Sequence, residues 1–83
     1  MIREHDRVVL TAPLHEEGLE PGDIGAVVHI YPRAAAYEVE FVTLTGNTAA
    51  IVTVPAAQVR PVGGREIPHA RELVNGRTTA SSG

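Results

Sequence analysis

A chain of 83 residues is long enough for one small domain, and the absence of cysteine excludes a disulfide framework or a cysteine-based zinc site. A formal net charge of −3, with one Phe, two Tyr and no Trp, is the opposite of the basic, aromatic-bearing surface that binds nucleic acid. Residues 1–6 are charged and lack the apolar run of a signal peptide, and no segment nears the roughly 20 apolar residues of a membrane span, so a cytoplasmic location is expected.

The apolar residues are mostly Val, with Ile, Thr and Ala, and Gly and Pro punctuate them at short intervals. Both features favour strands. The first strand is expected over 7–11. A long connection, 12–23, follows, with Leu14 and Leu19 as its inward anchors. In it, Pro21 and Gly22 fit the centre of a type II turn, where glycine supplies the positive φ. Asp23 is expected to brace that turn through its carboxylate. Gly25 opens the second strand, 26–31, in which Val28 and Ile30 should face away from Val27.

The third strand, 36–43, alternates most clearly. Tyr37, Val39 and Phe41 share one face, and Glu38 and Glu40 share the other. Val42 breaks the polar side, where the strand is expected to bend or to meet another element. Thr45, Gly46 and Asn47 mark a turn into a fourth strand, 49–54. There Ile51 and Val52 put apolar groups on both faces. Residues 55–57, opening with Pro55, should form one 3₁₀ turn before a fifth, edge-like strand over 58–62, because Pro61 has no N–H to donate. The all-β domain then occupies 1–64. A short helix is expected within 65–75, over about 68–74, with Ile67, Ala70, Leu73 and Val74 as its apolar face. Such a helix is marginal unless it docks. Residues 76–83 should be a disordered tail.

Two motifs go beyond composition. Val54, Pro55 and Val59 resemble the strand, 3₁₀ turn and final strand that close SH3 domains. Gly22-Asp23-Ile24-Gly25-Ala26-Val27 resembles the turn-into-strand of KOW-type and other SH3-like barrels. The whole pattern, with Asp6 to Thr11, Gly18-Leu19, Tyr37 to Val42 and Val59 to Val62, is similar to a family of short bacterial proteins classed as domain-of-unknown-function family 4926. That resemblance covers residues 6–62. It implies an all-β, five-stranded SH3-like barrel, and it brings no activity with it.

Catalysis finds no support in the residue pattern. Glu38 and Glu40 share a wet strand face, where nothing drives their pKa values apart. The four histidines, His5, His15, His29 and His69, show no local metal-ligand spacing. No base stands at a readable spacing from Thr43, Thr45, Thr48 or Thr53. An enzyme, a cofactor and a small-molecule substrate are therefore not expected. Two aromatic tyrosines are too few for a proline-peptide groove.

The leading expectation is a protein–protein interaction module, acting as a small homo-oligomer (a homodimer first) or as the partner subunit of another bacterial protein, for instance in an antitoxin- or immunity-like role. Its motive is a small core with apolar groups on both strand faces. The candidate partner-binding residues are Ile30, Val52, Arg33 and Arg60, and Pro21, Gly22, Asp23, Gly25 and Pro55 are the turn residues. The alternative is a KOW-like nucleic-acid-binding domain, resting on the Gly22-Asp23-x-Gly25 turn alone. An accessory domain of a larger enzyme is the third reading.

Overall fold

Strand-forming side chains in period-two order build an all-β unit. The computed structural model describes residues 1–73 of the chain. It contains β1 (Arg7–Leu10), β2 (Ile24–Ile30), β3 (Ala36–Val42), β4 (Thr48–Pro55) and β5 (Val59–Pro61). They form one antiparallel sheet in the order β4-β3-β2-β1-β5. Single 3₁₀ turns fill the connections at His15–Glu17, Pro32–Ala34 and Ala56–Gln58. The last lies one residue beyond its expected position, because Pro55 still belongs to β4. Pro61 ends β5, an edge strand, where its missing N–H breaks no central ladder.

The core follows from the alternation of β3. Tyr37, Val39 and Phe41 point inward and are buried, with Val54 of β4, Val27 of β2, Val8 and Leu10 of β1, Val59 of β5 and Leu19 of the long connection. Leu10, Val8, Val27, Val39 and Val54 are the largest fully buried side chains. Each such burial is worth about 1.5–3 kcal/mol. Leu19 reaches the core from a one-bridge ladder with Leu14, so both expected anchors of the connection turn inward.

Two bulges alter the faces that simple alternation assigns. Val27 stands opposite Val39 and His29 opposite Glu38, which leaves Val28 as an extra residue in β2. One inserted residue reverses the parity of everything after it. Ile30 therefore lies opposite Tyr37 and packs on the core, instead of facing away from Val27 as expected. A second irregularity, with Ala49 as the extra residue, falls between Phe41 and Val42, where the polar side of β3 is interrupted.

The helix expected within 65–75 does not form in its described part. Residues 66–73 run without helix or strand, and Val74 and Asn75 lie outside the described residues, as does the tail expected over 76–83. The reason is the missing dock. Ile67, first residue of the expected apolar face, is 84% exposed. An isolated helix of two turns cannot offset its own nucleation. Of the described residues of that expected face only Leu73 is half-buried, and the segment is tied to the rest of the chain by the ion pairs of Glu66 and Arg71.

Candidate functional site

The turn between the long connection and β2 is built from its own residues. Pro21 and Gly22 occupy its centre, Gly22 at φ +99°, and the Asp23 N–H donates to the Glu20 carbonyl at 3.0 Å. The Asp23 carboxylate turns back and accepts from the Glu20 N–H at 2.8 Å. The turn is fastened to the end of β1, since the Gly22 N–H donates to the Leu10 carbonyl and the Leu10 N–H to the Asp23 carbonyl, each at 2.8 Å. Gly25 serves a different need. A Cβ there would stand 2.5 Å from Val39 Cγ1 and 2.9 Å from the Glu40 carbonyl oxygen, so only glycine lets β2 and β3 approach this closely. At the other end of the sheet, Pro55 ends β4, and the next N–H, of Ala56, donates to the Ala35 carbonyl at 3.0 Å.

Asp23 has a second partner that sequence reasoning missed. Arg71 donates to both carboxylate oxygens, from Nε to Oδ1 at 2.8 Å and from Nη2 to Oδ2 at 2.6 Å. The same Nη2 donates to the Gly18 carbonyl at 2.9 Å, and Glu20 stands 3.8 Å from Nη1. The Asp23 side chain is 17% exposed and that of Arg71 26%. Partial burial pushes the Asp23 pKa up, but the Arg71 hydrogen bonds, the Glu20 N–H and the charge of Arg71 together outweigh it and hold the carboxyl below its ordinary value. Nothing local could have revealed this pair, since its members lie 48 positions apart.

Arg60 and Arg33, both candidate partner-binding residues, have different settings. Arg60 meets Glu66 in a two-pronged pair, at 3.0 Å and 2.6 Å, just beyond β5. Arg60 holds the Glu66 carboxyl down to about 2, assisted by the Gly63 N–H. Arg33 lies in the β2–β3 connection at φ +62°, followed by Ala34 at φ +53°. Left-handed backbone at two successive non-glycine residues is strained.

Of the two apolar candidates, Ile30 is half-buried for the reason given above. Val52 pairs with Val39, shares its inner face and is also half-buried against the core. Exposed apolar groups occur at Ile24 and Val28 of β2, at Val62 and Ile67 after β5 and at Met1, and three more stand near these candidates: Ile51 at 52%, Val42 at 53% and Leu44 at 86%. These last three lie on and beside β4, an edge strand that pairs only with β3 among the described residues. A groove of about 610 Å³ separates β4 from the connection, lined by Leu14, His15, Glu16, Glu17, Val52 and Thr53.

Chemistry is harder to place. Glu38 and Glu40 lie on the outer face of β3, where Glu40 accepts from the Thr48 hydroxyl at 2.6 Å. No group of three or more His, Asp or Glu side chains able to hold a metal ion occurs among the described residues. No helix among them is long and apolar enough to cross a membrane.

A protein-family model described as "Domain of unknown function (DUF4926)" matches residues 4–61. No curated protein and no solved structure matches the chain.

Proposed function

The chain belongs to the DUF4926 family, and from that premise we propose that it is a non-enzymatic protein–protein interaction module which pairs with a second copy of itself through the free edge of β4. The observation that carries this reading is the character of that edge. β4 is eight residues long and bears no charged side chain, while Ile51 at its middle is half exposed. Edge strands are normally blunted by charge, by an internal proline or by shortness. Here Pro55 stands only at the end. Two copies meeting antiparallel along β4 would form a self-complementary contact, and each added cross-strand pair contributes roughly 0.2–1 kcal/mol. Val42 and Leu44 beside the strand supply further apolar surface.

The strand order and the 3₁₀ turn joining β4 to β5 support the finer reading as an SH3-like barrel. A cytoplasmic setting fits a chain without cysteine. The nucleic-acid alternative rested on the Gly22-Asp23-x-Gly25 turn. Those residues serve the turn and the close packing of β2 on β3, and both Arg60 and Arg71 already face carboxylates.

Light scattering and sedimentation from micromolar to millimolar protein test the proposal. The wild type is expected to dimerise, and Ile51→Lys to remain monomeric with an unchanged circular-dichroism spectrum. A wild type that stays monomeric throughout overturns self-pairing, and a pull-down then tests a separately encoded partner.

A further inference from the structure

A guanidinium is planar and presents several N–H donors at fixed directions. The connection between β1 and β2 supplies acceptors for them. Asp23 presents both carboxylate oxygens, Gly18 its carbonyl, and Glu20 a second carboxylate, all to the single guanidinium of Arg71. This cup lies wholly within residues 18–23. It is also shaped without Arg71, because the Glu20 N–H orients the Asp23 carboxylate and the Asp23 N–H closes the turn on Glu20.

The group that fills the cup comes from elsewhere. Arg71 lies beyond the family-matched residues, 4–61, on a segment with no helix or strand. That segment carries the exposed Ile67, and its one other ion pair to the sheet among the described residues is Glu66 with Arg60 at its start. Its one half-buried apolar side chain is Leu73, and no residue of it among those described is fully buried, so the strap releases more readily than one held by buried apolar side chains.

We propose that the cup of Asp23, Gly18 and Glu20 is a recognition site for an arginine side chain carried on an extended segment of a partner protein, and that Arg71 is its internal occupant. The charge is complementary, since an anionic cup on a net acidic chain attracts a cationic segment. The internal arginine acts at an effective concentration in the millimolar range, so an outside arginine enters when the strap lifts or when further contacts favour the partner. Lysine is a poor substitute, because its compact ammonium lacks the forked donors by which a guanidinium meets two carboxylate oxygens and a carbonyl together. The inference uses none of the residues of the β4 edge, and either reading stands or falls without the other.

The test is a titration of ¹⁵N-labelled full-length chain carrying Arg71→Gln with N-acetyl-arginine amide, with the lysine and citrulline amides as controls. The Gly18, Glu20 and Asp23 amides are expected to shift saturably with the arginine probe alone. The wild type is expected to need at least about tenfold more probe, since its cup is filled from within. Adding Asp23→Asn to the variant is expected to abolish the shifts. Absence of a saturable shift, an equal response to lysine, or binding that survives Asp23→Asn overturns the proposal. Should the glutamine variant fail to fold, Arg71→Lys keeps the charge, and the arginine probe must bind it more tightly than the wild type. Equal binding to both overturns the site.

Discussion

Substituting Gly25 by alanine isolates the close approach of β2 to β3. The added methyl would sit 2.5 Å from Val39 Cγ1, 2.9 Å from the Glu40 carbonyl oxygen and 3.0 Å from Phe41 Cδ2. Neither Val39, fully buried, nor the β3 backbone, paired on both sides, has room to retreat. Overpacking of this kind costs about 1–3 kcal/mol, and a clash with backbone belongs at the upper end. Alanine also restricts the unfolded chain, which returns about 0.4–1 kcal/mol where the conformation is allowed. The balance is a loss of about 2 kcal/mol, close to half the roughly 3–5 kcal/mol that so small a core supplies. Urea denaturation followed by circular dichroism reads it directly. With a slope near 1 kcal/mol/M for a chain of this size, the midpoint falls by about 2 M. A Gly25→Ala protein as stable as the wild type would refute the packing argument.

Two further outcomes follow from features of the connections. Ala34 is exposed and sits at φ +53°, so Ala34→Gly relieves strain without removing a packed side chain. Left-handed backbone costs a non-glycine residue roughly 1–2 kcal/mol, and the looser unfolded chain offsets part of the gain, leaving a stabilisation of about 0.5–1 kcal/mol by urea midpoint. A lower midpoint contradicts it. Glu66 is held at about 2 by Arg60 and the Gly63 N–H, against an ordinary 4.5. Its favourable contribution is complete above pH 4.5 and is lost as the pH falls through about 2. The Gly63 amide resonance is expected to move across that window, and Glu66→Gln to abolish the movement. A Gly63 shift centred at the ordinary carboxylate value contradicts the pair.

The parts legible in the sequence are those decided by neighbours along the chain. Tyr37, Val39 and Phe41 alternate with Glu38 and Glu40, and that pattern fixes the inner face of β3 and the all-β class. Pro21, Gly22 and Asp23 specify their turn locally, and the carboxylate braces it as the residue type implies. The illegible parts depend on pairing across the sheet. Nothing in Val27-Val28-His29 announces that Val28 is surplus, so the face of Ile30 reads wrongly until β3 is laid beside it. The segment after β5 carries a helical period, yet the period records only which residues would dock, not whether a surface waits for them. Arg71 is one of seven Lys and Arg residues, and its distance from Asp23 leaves no spacing to notice.

The two surplus residues, Val28 and Ala49, flank β3 from opposite sides. Each gives its strand more length than β3 has to match, and a strand longer than its neighbour must bend and coil. Curvature here is therefore a product of unequal strand length, applied twice along one central line. It lets a sheet whose outermost strands, β4 and β5, are not hydrogen-bond neighbours wrap a single interior. A sheet closed by hydrogen bonds would have no edge strand. This one, bent but open in its strand order, keeps two, and one of them is β4.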